Sequence, residues 1–218
     1  MLRKKRPSEG VLREDADQVD AEGFVAPTIG ALEHALYFTN AASVSEKANQ
    51  VLNSGRLLLP GVVVVWDETS GRRKGAKAIP KAWWATHGSL TVAFAFAVGT
   101  IVDSHDELTR AAAAVIRVLS SFQPRLQVSF CAPNALEIAG KRVGRISMES
   151  NSHADLIVVQ LNCVTDFSKA PATISSSACR LVDFIDVKQL PLQESGTLPN
   201  TVLTRLMAEI PNEFGLDD

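Results

Sequence analysis

Two kinds of hydrophobic pattern run along the chain. Pro60–Trp66 (PGVVVVW) and Leu90–Val98 (LTVAFAFAV) are apolar at consecutive positions, which is how strands covered on both faces read. Asp106–Leu119 places Leu108, Ala112, Val115, Ile116 and Leu119 on one stripe of a 3.6-residue repeat and is acidic at its start, so it predicts an amphipathic helix. Pro27–Asn53 also carries apolar residues at helical spacing. Within it, Ser43-x-x-Glu46 is a capping-box pattern opening a helix through Ala48, Val51 and Leu52 that Gly55 stops. Four short segments, Leu126–Phe130, Ala135–Ile138, Arg142–Ser150 and Leu156–Val164, read as strands separated by turns at Ala139-Gly140 and Asn151–Ala154. From Pro199 a last helix runs through Leu203, Leu206 and Met207 and is expected to close at Ile210-Pro211. Strands arriving in succession after a helix predict an α+β fold, a central mixed sheet with helices packed on one face.

Composition narrows this picture. With 218 residues, 46% of them hydrophobic, the chain can bury one large core, and a disordered protein is excluded. Residues 1–26 turn acidic after Met1–Arg6 and carry no apolar stretch. They predict a flexible tail before a single domain over 27–218, and they do not form a secretory signal. The formal net charge of −2 argues against DNA or an anionic membrane as partner. The longest apolar run, Ser89–Val102, is too short for a bilayer span of about 20 residues. Cys131, Cys163 and Cys179 form no C-x-x-C pair and read as reduced thiols, which suggests the cytoplasm or the mitochondrial matrix. The four histidines have no spacing that would hold a metal.

Two stretches could carry chemistry. The loop Glu68–Lys77 (ETSGRRKGAK) concentrates glycine, backbone donors and four cations behind a buried strand, a composition that can fold over phosphate or simply be solvated. It lacks the G-x-x-x-x-G-K-[ST] spacing of a P-loop. The segment Cys131–Glu149 (CAPNALEIAGKRVGRISME) reads as a Pro-Asn turn followed by a hairpin that displays Lys141 and Arg142 near the start of its second strand.

In this order, the elements resemble the catalytic domain of biotin protein ligases, in the superfamily that also holds lipoate ligases, from about Ala42 to Phe214. Ser43-Val44-Ser45 lines up with the family's Ser-Thr-Asn-containing helix, and Glu68–Gly75 with its Gly-Arg-Gly-Arg-x-Gly nucleotide loop. Trp83 or Trp84 and Gly88-Ser89-Leu90 line up with a tryptophan and Gly-x-Leu. Without a gap, Cys131–Ala135 falls on Lys-Trp-Pro-Asn-Asp, Gly140–Glu149 on Gly-Arg-Lys-hydrophobic-x-Gly-Ile-hydrophobic-x-Glu, and Val158–Cys163 on a strand ending Gly-Ile-Gly-Ile-Asn-Val.

This resemblance implies ATP-dependent activation of biotin, or a related acyl acid, as the acyl-adenylate, and transfer to a lysine of a carrier-protein domain. It implies ATP, with Mg, and biotin as cofactors and substrate. Gly71, Arg72, Arg73, Lys74, Gly75, Trp84, Gly88, Asn134, Gly144 and Asn162 are the implied binding residues, and Arg142 with Lys141 the implied catalytic cations. The same alignment puts Ala135 at the family's aspartate, Ala132 at its tryptophan and Cys131 at its lysine. Arg73, Arg145, Val158 and Gln160 stand where the family has glycine, so side chains enter space where a ligand would approach backbone. Two functions follow: a divergent ligase using Arg72, Lys74 and Arg142, or a ligase fold without catalysis, its pocket filled by Arg73, Arg145 and Gln160, serving as a binding or scaffold subunit.

Overall fold

The computed structural model describes residues 34–68, 88–101, 105–190 and 197–215. Their elements run β1 (His34–Ala41), α1 (Val44–Asn53), β2 (Gly61–Glu68), β3 (Leu90–Phe96), α2 (His105–Phe122), β4 (Val128–Cys131), β5 (Ala135–Ile138), β6 (Lys141–Ser150), β7 (Asp155–Leu161), α3 (Ala172–Ser175) and α4 (Leu198–Glu213). The seven strands form one mixed sheet in the order β1-β2-β3-β7-β6-β5-β4, with β1 and β2 parallel and every other pair antiparallel.

The alternation of side chains along each strand splits the core between the two faces of the sheet. Val62, Val64, Val92, Phe94, Ile157, Val159 and Ile146 point to a large cluster completed by Ala111, Val115 and Leu119 of α2 and Leu203, Leu206 and Ile210 of α4. On the other face Val63, Val65, Ala93, Ala95, Leu156 and Val158 meet Val44, Ala48 and Val51 of α1. Helices therefore cover both faces, where the sequence predicted one. The consecutive apolar positions of β2, β3 and β7 follow from this double cover, and every residue of β3 and β7 is buried.

Two further expectations change. Residues 34–41, read as part of a helical segment, form a strand. Ala35, Leu36, Tyr37 and Phe38 are four consecutive apolar residues, a pattern that satisfies either period, and parallel pairing with β2 decides for the strand. Helix α4 also runs past Ile210-Pro211 to Glu213, with Pro211 in its last turn unable to donate to the Met207 carbonyl and both Ile210 and Pro211 buried. Ser43 caps α1 as expected, its hydroxyl accepting from the Glu46 amide at 3.1 Å, which is one half of the anticipated capping box. The tail 1–26 lies outside the described residues, and no described helix is long and apolar enough to cross a membrane.

Candidate functional site

Strand register places a set of widely separated residues in one line. Cα pairing runs Phe38–Val65–Thr91–Gln160–Arg145–Ala135–Cys131, one residue from each of the seven strands. Phe38 and Val65 belong to the cluster beneath α1, so the whole row lies on the α1 face. Its outer half carries four of the positions at which the resemblance departs from the family, Cys131, Ala135, Arg145 and Gln160.

Polar side chains fill the middle of that row. Thr91 and Gln160 are each 1% exposed, and Arg145 is half-buried. The Gln160 side-chain amide donates to Glu68 Oε2 at 2.5 Å, while its carbonyl oxygen accepts from Arg145 Nε in a short contact. A guanidinium can only donate and a carboxylate only accept, so these two neighbours fix the orientation of the Gln160 amide between them. Glu68, the last residue of β2, turns its other oxygen to the α1 amino terminus and accepts from the Val44 amide at 2.8 Å. Burial pulls the Arg145 guanidinium below its ordinary range, Glu68 opposes that shift, the neighbouring Arg142 adds to it and Glu149 opposes it. Glu149 in turn accepts from the Ser45 hydroxyl of α1 at 2.8 Å, a second tie between that helix and the sheet.

Arg142 reaches this face through a β-bulge. Leu136 pairs with Gly144 but Glu137 pairs with Arg142, so Val143 is left without a Cα partner in β5. The extra residue turns Arg142 to the side of Arg145 and leaves Lys141, opposite Ile138, on the other side. Of the two candidate catalytic cations, Arg142 therefore shares the face with Gln160 and Lys141 stands exposed at the hairpin end. That end is the tight turn anticipated at Ala139-Gly140, with φ of 51° and 73°.

The remaining candidate binding residues divide into two groups. Gly71, Arg72, Arg73, Lys74, Gly75 and Trp84 lie outside the described residues. Gly88, Asn134, Gly144 and Asn162 are described, and each makes contacts within the protein. A Cβ on Gly144 would lie 2.5 Å from the Leu161 side chain and 2.7 Å from the Gln160 carbonyl oxygen. At Gly88, with φ +90°, it would lie 2.8 Å from Val164. The Asn162 amide donates to the Val143 carbonyl at 2.8 Å, and its own carbonyl accepts from Leu181 at 2.7 Å. The Asn134 carbonyl accepts from the Ile146 amide at 3.0 Å and so fastens the Pro-Asn turn to β6.

Composition did not single out Glu68, Thr91 or the Ser45–Glu149 pair. The usable signal was a polar residue inside an otherwise apolar strand, Thr91 in LTVAFAF and Gln160 in DLIVVQL. Among the thiols, Cys163 is fully buried and pushed up to about 12 by that burial, while the half-buried Cys131 ends the row on this face. Away from the row, at the carboxy-terminal end of α2 in the opposite layer, Phe122, Gln123, Pro124, Arg125 and Asp186 line a surface cavity of about 290 Å³.

No protein-family model and no curated protein matches the sequence. Solved structures do match it. The biotin protein ligase from Aquifex aeolicus in complex with biotin and ATP superposes with a TM-score of 0.63 at 17% identity, covering 84% of this chain and 71% of that one. The Leishmania major biotin protein ligase in complex with biotinyl-5-AMP gives 0.56 at 15% identity, over 80% and 74%. A bipartite lipoate protein ligase from Thermoplasma acidophilum gives 0.53 at 12%, over 84% of each chain. The chain has the biotin/lipoate protein ligase catalytic-domain fold. Identities this low establish the ligase fold alone, so the chemistry must be argued from this chain's own residues.

Proposed function

We propose that the protein is a non-catalytic form of the ligase fold, working as a binding or scaffold subunit on a protein partner, a biotin-carrier domain or another subunit. One observation carries the reading: Glu68, Gln160 and Arg145 occupy the sheet face where the family resemblance would put an acyl ligand against glycine backbone. An apolar ligand entering that face would displace a buried Gln160 and break its hydrogen bonds to Glu68 and Arg145, at a cost of about 1–3 kcal/mol for each buried polar group left unsatisfied. Biotin, bound in the Aquifex aeolicus structure, therefore does not fit the residues that line this face.

A divergent ligase is the competing reading, and the bulge at Val143 favours it by holding Arg142 on the same face as a possible charge stabiliser. Isotope exchange between pyrophosphate and ATP separates the two. With biotin, lipoate or octanoate at millimolar concentration, the purified protein is expected to give no exchange above the protein-free rate. Acid-dependent exchange that disappears in Arg142→Ala would establish the ligase instead.

A further inference from the structure

Away from the α1 face, the free edge of the sheet at β4 and the cavity at its entry bring open backbone groups, apolar walls and a cation together. We propose that an extended, acidic segment of a protein partner adds to the sheet along β4 and sets a side chain in the cavity lined by Phe122, Pro124, Arg125 and Asp186. The proposal rests on the reading above for the partner being a protein, and adds where that partner docks and what it carries.

Strand register shows which groups of β4 are open. The Ile146 amide donates to the Asn134 carbonyl at 3.0 Å, so Ala135 and Arg145 face each other as a pair without direct hydrogen bonds, and Ala135 turns its own N–H and C=O to β4. Ala135 and Glu137 therefore bond their Cα partners Cys131 and Ser129, and the N–H and C=O of Val128 and Phe130 point off the sheet. Among the described residues no backbone group bonds them, and β4 ends the strand order. Donors and acceptors at this spacing are complementary to another extended backbone. Nothing blunts the edge, since Val128–Cys131 carries no charge and no proline and its register with β5 is unbroken.

The side chains of Val128 and Phe130 pack into the layer of α2, and in that layer, three residues before Val128, Arg125 rims the cavity of about 290 Å³. Phe122 and Pro124 supply its apolar walls. Arg125 is exposed and pairs with no carboxylate among the described residues, and Arg205 lies over the Phe122 ring at 4.2 Å. One oxygen of Asp186 already accepts from the Lys188 amide at 3.1 Å. Charge at the cavity mouth thus favours an acidic residue in the docked segment.

The test is selection from a library of random dodecapeptides on the full chain, with the enriched peptides synthesised and titrated. They are expected to share an acidic residue, to bind saturably, and to slow amide hydrogen exchange severalfold at Val128 and Phe130 while leaving Ser129 and Cys131, already bonded to β5, unchanged. Val128→Pro removes one outward donor and no bond of the β4–β5 ladder, so it should weaken binding about tenfold. Arg125→Ala should weaken it about as much at low salt and much less at high salt. No enriched peptide, equal binding by Val128→Pro, or protection elsewhere on the chain overturns the proposal. Should Val128→Pro fail to fold, the exchange pattern of wild type decides alone. A second copy of the chain on this edge would appear as a concentration-dependent dimer that Val128→Pro dissolves, and that result also overturns the partner segment proposed here. Acid-dependent pyrophosphate exchange by wild type, together with protection of Val128 and Phe130 by peptide, would sink the non-catalytic reading and leave this docking edge standing.

Discussion

At the scale of single residues, one-letter patterns were ambiguous wherever glycine or a polar residue sat inside a strand. Gly144 was readable as a position that lets a ligand near the backbone. In the structure its missing side chain is already claimed by Leu161 and the Gln160 carbonyl, which would lie 2.5 and 2.7 Å from a Cβ. Gly144→Ala should accordingly destabilise the protein by about 1–3 kcal/mol, the usual range for overpacking, when measured by urea unfolding. A neutral result would mean the strands part easily there and leave Gly144 free for a binding role. Gln160 and Arg145 were legible as intruders from the alignment alone. Their bond to one another was not, because register across β6 and β7 is set by pairing that no local sequence window contains.

At the scale of elements, those with a strong and long pattern were read directly: α2, the four-valine strand β2, and the β5–β6 hairpin with its two-residue turn. Weakly determined ones were not. The strand β1 has a neighbour on one side only among the described residues, so its burial gives no clean period, and α1 was placed by its cap rather than by its stripe. The layer of α2 and α4 illustrates which contacts hold elements together. Arg117 pairs with Glu209 at 2.6 Å and with Glu213, and Arg110 pairs with Glu107 at 2.8 Å and Glu213 at 3.3 Å while lying over the Phe214 ring. Arg117 is half exposed, so this network should contribute little beside the apolar seam under it. Glu213→Gln is expected to cost less than about 1 kcal/mol and to lose even that in high salt, whereas Leu203→Ala at the buried seam should cost about 2–5 kcal/mol. Thermal unfolding of the two variants at low and high ionic strength checks the order, and a larger loss from Glu213→Gln would contradict it.

At the scale of the molecule, an α1 helix pinned by Glu68 and Glu149 and a sheet filled by Gln160 and Arg145 make a face that is finished rather than waiting. The fold is that of the biotin/lipoate protein ligases, and the row of seven paired residues brings together Arg145 and Gln160, positions at which the resemblance implies glycine. Calorimetric titration with biotin tests this most directly, comparing wild type with the double variant Arg145→Gly, Gln160→Gly. The account predicts no heat of binding for wild type and, for the variant, saturable binding in the cleared space. Saturable binding by wild type, undiminished or weakened when those two side chains are removed, would contradict it.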